Sequence, residues 1–300
     1  MDSAQDAAIT GSNMVISMRS MSEKELEMVF TWSAREGWNP GKYETAAFYA
    51  INPSGYTLLT INNVPAACLL SVRYTNKYAF MALYIVKPEF RGKGFGKMLW
   101  DKVMHSLADC ETVGFSGVLE RVEDYKKAGF KPYFFDMRWY GKPKFSDKQK
   151  GVTNNIVLKK ITEIPFMQLV DYDAKIFAIQ RENFLAKWIE MPLSFASVAI
   201  NDMGEICGYG VICTSAEGYK VAPLYADSEL IAEELLRDLC NSVSHETTIF
   251  IDTPEINSCA VDLVKRLGLQ EVFKTMRMYR GLPLPTQDEK MFGLTGLELG

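Results

Sequence analysis

Histidine is scarce in this sequence: 300 residues contain two, His105 and His245. The six cysteines (Cys68, Cys110, Cys207, Cys213, Cys240 and Cys259) stand far apart and form no C-x-x-C pair. No zinc-like ligand cluster can be written from these residues, and no metal is expected. Long apolar runs are missing as well, and none reaches the roughly 20 residues that a membrane helix needs. Met1 to Ser20 carries acids and lacks the apolar stretch of a secretory leader. Basic charge is not in excess: 33 Lys and Arg face 37 Asp and Glu, for a net charge of −4. With no basic stripe outside one loop, nucleic acid is not expected as a partner. Gly114-Phe115-Ser116-Gly117 lacks the G-x-S-x-G spacing of a nucleophile elbow, so a serine hydrolase has no support. These absences lead to the expectation of a cytoplasmic protein with reduced, buried thiols and no membrane partner. No oligomeric state follows from them.

What is present suffices for proper cores, since 48% of the residues are hydrophobic and 23% charged. Two domains are the natural expectation for this length. The most informative stretch is Tyr84-Ile85-Val86-Lys87-Pro88-Glu89-Phe90-Arg91-Gly92-Lys93-Gly94-Phe95-Gly96-Lys97-Met98-Leu99-Trp100. The apolar run Ala79 to Val86 predicts a buried strand, and the amphipathic run Phe95 to Leu107 predicts a helix. Strand, glycine-rich loop and helix N-terminus is the arrangement that cradles a phosphate. Gly92, Gly94 and Gly96 let backbone N–H groups approach an anion closely. Lys87, Arg91, Lys93 and Lys97 add positive charge against one acid, Glu89.

Two common phosphate motifs fail. The dinucleotide pattern G-x-G-x-x-G would need its third glycine where Lys97 stands, one residue after Gly96. The P-loop would need Gly in place of Arg91 and Ser or Thr in place of Met98. The remaining Arg91-x-x-Gly94-x-Gly96 resembles the pyrophosphate loop of the GNAT superfamily of acetyl-coenzyme A-dependent N-acetyltransferases. Downstream, Val113 to Leu119 predicts a strand and Glu120 to Ala128 a short helix stopped by Gly129. Tyr125-Lys126-Lys127-Ala128-Gly129-Phe130 resembles the Y-x-x-x-G-F helix end of the same superfamily, in the same order along the chain.

Taken in order, residues 1–13 are polar and expected to be disordered. Val15 to Met18 predicts a strand. Ser22 and Glu25 form a capping box before Leu26, Val29 and Phe30 and predict a helix. A second short helix spans Glu44 to Tyr49, and a hairpin joins Thr57–Ile61 to Ala66–Arg73 across Asn62-Asn63-Val64-Pro65. With the elements above and a last strand ending at Tyr140, the order is βααβββαβαβ. That gives an α+β fold class with a mixed, mainly antiparallel sheet, and it is the order of the GNAT fold. The run E-G-W-N-P-G at Glu36–Gly41, together with the loop and helix motifs, is similar to a two-domain GNAT subgroup whose second half is acetyltransferase-like.

An internal repeat agrees with this. Ile61-Asn62-Asn63 with Cys68 matches Ile200-Asn201-Asp202 with Cys207 at an offset of 139. Tyr84-x-Val86-x-Pro88 matches Tyr219-x-Val221-x-Pro223 at 135, and Lys126, Gly129, Met137-Arg138 and Tyr140 match Lys265, Gly268, Met276-Arg277 and Tyr279 at 139. The expected organisation is 14–142 as a catalytic GNAT domain, 143–155 as a linker, 156–282 as a degenerate GNAT-like domain and 283–300 as a C-terminal tail. The second copy carries Ala226-Asp227-Ser228-Glu229 in place of the loop and Val264 in place of Tyr125. Acids at a helix start repel a pyrophosphate, so chemistry is expected in the first copy alone. Phe184, Trp188 and Met191 are read as packing.

The resemblance implies acetyl transfer from acetyl-coenzyme A (acetyl-CoA) to a primary amine, with the small-molecule amine as partner. It places the thioester against backbone N–H groups of Leu83, Tyr84, Ile85 and Val86. It places the pyrophosphate on Arg91, Gly92, Lys93, Gly94, Phe95, Gly96 and Lys97. Tyr125 matches the tyrosine that protonates the departing thiolate; a helix tyrosine packed on the sheet is the alternative. No acid lies in residues 79–86, so Glu36 and Glu120 are the candidate bases, with ordinary surface acids or a water chain as alternatives. Trp32, Trp38, Tyr43, Phe48, Tyr49 and Tyr56 are either an acceptor pocket or the core of two short helices. A non-enzymatic acyl-CoA-binding module and a protein or peptide N-acetyltransferase remain alternative functions.

Overall fold

Ser22 begins the first helix as its sequence requires: its Oγ accepts from the Glu25 N–H at 3.3 Å, and the Glu25 carboxylate accepts from the Ser22 N–H at 2.9 Å. The computed structural model describes residues 7–10, 14–146, 156–243 and 248–300. Its first half contains β1 (Ala7–Thr10), β2 (Met14–Ser20), α1 (Glu23–Arg35), α2 (Thr45–Tyr49), β3 (Tyr56–Ile61), β4 (Val64–Arg73) and β5 (Tyr78–Val86). It continues through α3 (Phe95–Ser106), β6 (Thr112–Val118), α4 (Val122–Lys127) and β7 (Lys131–Gly141). The second half repeats the order as β8 (Ile156–Lys160), α5 (Phe166–Phe177), α6 (Glu182–Trp188), β9 (Phe195–Asn201), β10 (Ile206–Thr214) and β11 (Tyr219–Ala226). Then come α7 (Glu229–Asn241), β12 (Ile249–Pro254), α8 (Ser258–Arg266), β13 (Gln270–Arg280) and β14 (Met291–Gly293). The βααβββαβαβ order thus occurs twice. Of the expected linker, residues 147–155 lie outside the described residues.

Three findings depart from the sequence reading. First, the segment expected to be disordered supplies β1, which pairs antiparallel with β2 from Ala7↔Ser17 to Thr10↔Met14. An open strand edge accepts backbone pairing without a strong side-chain pattern. Second, the repeat block at offset 135 is out of register. Tyr84 lies near the end of β5, whereas Tyr219 opens β11 and pairs with Ile249 of β12 as Tyr78 pairs with Thr112 of β6. Tyr219 is therefore the counterpart of Tyr78. Third, the segment expected as a tail is structural: residues 291–300 are all buried, and β14 pairs with β11.

The halves share one sheet, ordered β1-β2-β3-β4-β5-β6-β13-β7-β12-β11-β10-β9-β8, with β14 on β11. Each half has handed its last strand to the other. β6 pairs with β13 from Val113↔Arg280 to Val118↔Thr275, and β12 pairs with β7 from Ile249↔Gly141 to Pro254↔Asp136. β7 and β13 then pair with each other at the centre. The two arginines of the repeat sit on these strands, both buried. Arg138 holds Asp252 of β12 through two bonds of 2.7 and 2.8 Å and donates to the Trp38 carbonyl. Arg277 holds Asp136 of β7 at 3.0 and 3.2 Å. Buried charges persist where a partner neutralises them, so each arginine marks a join between halves. Phe184, Trp188 and Met191 are buried in a core cluster that also contains residues of the first half.

Candidate active site

Between β5 and α3 the chain forms an open cradle. Gly92 and Gly94 adopt φ of +74° and +85°, and Gly94 caps α3 without any side-chain hydrogen bond. Among the described residues the N-cap position thus supplies no side-chain partner to the first N–H groups of α3. Arg91 is braced by bonds to the Val86 carbonyl at 2.7 Å and to Glu36 at 2.5 Å. Gly96 lets the helix close on the strand, because a Cβ there would lie 2.6 Å from the Tyr84 Oη. The cradle borders an open cavity. Its walls include Tyr84, Ile85, Val86, Arg91, Gly92, Gly94, Phe95, Gly96 and Lys97, with Glu36 and Arg121. Lys93 turns away, donating to the Glu89 carbonyl at 2.9 Å.

A second feature lies within β5. The β4–β5 register shifts between Cys68↔Ile85 and Leu70↔Ala82, and Leu83 takes φ of +48°. A leucine rarely adopts that conformation, and such strain clusters at functional sites. The parallel pairing of β5 with β6 runs from Tyr78↔Thr112 to Met81↔Phe115 and stops there. Beyond it the strands part, because β6 follows β13 instead. The gap is a narrow cavity with largely apolar walls, among them Leu83, Trp100 and Phe115. Trp38, Tyr84, Val118 and Tyr125 line both cavities and so mark their junction.

Tyr125 occupies that junction by packing. Its ring stacks on Trp100 at 5.8 Å and meets Phe115 edge-on at 4.5 Å. Burial pushes its phenol up to about 12, so the proton stays on at neutral pH. Glu36 is engaged by Arg91. Glu120 is exposed in the turn before α4. Of the aromatic cluster around the acceptor loops, Trp32, Phe48 and Tyr56 are buried in the core, while Trp38 reaches both cavities. Sequence reasoning missed Ser116, Phe273, Thr275, Leu297 and Glu298 in the narrower cavity. Only the exchanged strand and the last residues of the chain bring four of these there, and no local pattern announces it.

The second half has closed the equivalent places. Asp227 and Ser228 alone connect β11 to α7, where Lys87 to Gly94 connect β5 to α3. The Ser228 side chain itself accepts from the Ile231 N–H. The splay between β11 and β12 beyond Val221↔Ile251 is filled by β14, which pairs with Leu224 and Tyr225 while the Leu294 N–H donates to the Asp252 carbonyl at 2.7 Å. The protein's own backbone thus occupies the gap that stays open in the first half.

Comparison with known proteins agrees with this geometry. Residues 23–130 match a family model described as acetyltransferase (GNAT) family, and residues 169–293 match one described as acetyltransferase (GNAT) domain. A holothin acyltransferase from Pseudoalteromonas sp. (strain SANK 73390) is 31% identical over 279 residues, covering 92% of each chain. The structure of a putative acetyltransferase from Pyrococcus horikoshii superposes with a TM-score of 0.77 at 21% identity, covering 98% of each chain. A tandem GNAT protein from the clavulanic acid biosynthesis pathway gives 0.62 at 12% identity, covering 89% of this chain and 99% of that one. With the relative's identity extending over nearly its whole length, the chain belongs to the GNAT family of acyltransferases and carries two GNAT domains in tandem.

Proposed function

We propose that the protein transfers an acetyl group from acetyl-CoA to the primary amine of a small molecule, using the first domain alone. The observation that carries this reading is the pair of joined cavities with Tyr125 at their junction. The coenzyme supplies an activated thioester, and its pyrophosphate suits the uncapped start of α3 and the cationic loop. The backbone of Leu83 to Val86, freed from β6, offers N–H groups to the carbonyl oxygen as charge develops on it. Tyr125 gives its proton to the departing sulfur. Holding donor and acceptor together in the gap accounts for much of the rate. The walled, apolar character of the narrower cavity favours a small acceptor over a protein chain. An intact cradle together with an intact Tyr125 favours an enzyme over a binding module, since the second domain has neither. All six cysteines are free thiols, which supports a reducing, cytoplasmic setting.

The test is thiol release from acetyl-CoA against a panel of amines, amino acids and peptides, with holothin included because one relative is named for it. Turnover of a small amine is expected, and turnover of peptides alone would replace this reading. For the cradle, Gly94→Val is expected to abolish binding of coenzyme A. A Cβ at Gly94 would meet no protein atom within 4 Å, so the protein itself leaves room. The cost comes from a β-branched side chain forced to φ of +85° and standing where the anion would approach. Calorimetry giving wild-type affinity for this variant would remove the loop from the site.

A further inference from the structure

We infer that Glu298, carried by the segment after the second domain, accepts the proton of the attacking amine. The inference rests on the transferase reading above and deepens it by supplying the missing base. Glu298 lines the narrower cavity with Tyr84, Ser116 and Tyr125 and is only 9% exposed. Among the described residues its carboxylate has no hydrogen-bond or ion-pair partner. The cations near it are taken: Lys220 pairs with Glu44, and Arg138 holds Asp252 and the Trp38 carbonyl. Lys220 and Arg138 favour the charged carboxylate of Glu298, and Glu44 and Asp252 oppose it. Burial outweighs them and raises the carboxyl above the usual glutamate range, which makes it a better proton acceptor than an exposed glutamate.

The position is firmly held. β14 anchors the segment on one side of Glu298, and the Thr295 hydroxyl accepts from the buried Arg181 at 2.9 Å. On the other side the Tyr74 hydroxyl donates to the Leu299 carbonyl at 2.7 Å. A buried carboxylate without a protein partner is costly, and a cavity that retains one is made to receive a group that satisfies it. An amine on an apolar body meets both demands. In the reaction the amine nitrogen bonds to the thioester carbon, the carbon–sulfur bond breaks, Glu298 takes the amine proton and Tyr125 gives its own to the sulfur. Proton return from Glu298 to Tyr125 through solvent restores both groups and leaves an amide and free coenzyme A.

The test compares wild type and Glu298→Gln with the best amine of the panel. The expected result is a fall in kcat of roughly 10²–10⁴-fold, loss of the acidic limb of the pH–rate profile, and little change in KM for acetyl-CoA. A small carboxylate such as formate is expected to restore part of the rate in Glu298→Ala, which a structural role would not permit. If Glu298→Gln folds and keeps both wild-type kcat and the acidic limb, the inference is overturned. A second readout is independent of turnover. Infrared difference spectra of wild type and Glu298→Gln should show the Glu298 carboxyl ionising above the ordinary glutamate range, and ionisation within that range would also overturn it. Failure of wild type with every amine would count against the transferase reading, while the infrared arm would still decide the state of Glu298.

Discussion

Tyr125→Phe is expected to lower kcat by roughly 10²–10⁴-fold while leaving the KM for acetyl-CoA nearly unchanged. The substitution removes one hydroxyl. The ring keeps its stacking on Trp100 and its edge contact with Phe115, so folding and the cavity walls survive. With the phenol held up to about 12, the group is protonated throughout the working range and donates at every pH used. Rising pH removes this proton only near that value, so Tyr125 imposes no alkaline limb between neutral pH and about 11. Glu36→Gln and Glu120→Gln are expected to lose less, because Glu36 braces Arg91 and Glu120 faces solvent. Near-full kcat in Tyr125→Phe, measured where chemistry limits turnover, would make the tyrosine a packing residue and return the protonation of sulfur to water.

The second large effect is on stability. Arg138→Leu should destabilise the fold by about 3–5 kcal/mol, the usual result of removing one member of a buried ion pair. The variant leaves the Asp252 carboxylate, 2% exposed, without its bidentate partner. It also frees the carbonyl of Trp38, a residue that lines both cavities, so activity should fall even at temperatures where the fold persists. Burial alone would lower the arginine's affinity for its proton; Asp252 foremost, with Glu298 and Glu44, more than offsets this. Denaturant midpoints for Arg138→Leu, Asp252→Leu and the double variant would decide the matter. The double variant should recover much of the loss, since neither charge then lies buried and unpaired. Additive losses would show that the two residues act independently.

Much of the first domain was legible because its signals are local. A capping serine, prolines at turns and glycines at positive φ each act within a few residues. The cradle was legible for the same reason, since Gly92 and Gly94 are needed by the backbone where they stand. The tyrosine repeat misleads because its letters match at an offset of 135, whereas the strand ladders put Tyr219 at the place of Tyr78, an offset of 219 − 78 = 141. The shorter β11–α7 connection lowers the offset only after the strand. The exchange of β7 and β13 could not be read at all. Both strands carry the same apolar alternation and the same buried arginine, so nothing local distinguishes pairing within a half from pairing across halves. Glu298 was hidden because residues 291–300 show no helical or strand period. They are buried by what surrounds them, β11 and β12 on one side and the first domain on the other.

The exchanged strands also set the order in which a working molecule can be completed during synthesis. β6 gains β13 beside it only when Gln270–Arg280 has left the ribosome, and Arg280 comes 280 − 141 = 139 residues after Gly141 ends β7. At 5–20 residues per second that interval lasts roughly 7–28 s. Throughout it the nascent first domain holds an unsatisfied β6 edge, with β7 beside it in sequence and able to occupy it. That pairing would give a closed first domain that shuts out β13, a competitor built from the chain's own correct parts. An exposed edge is also a template for neighbouring chains. Completion of the first domain's sheet is therefore tied to synthesis of the second.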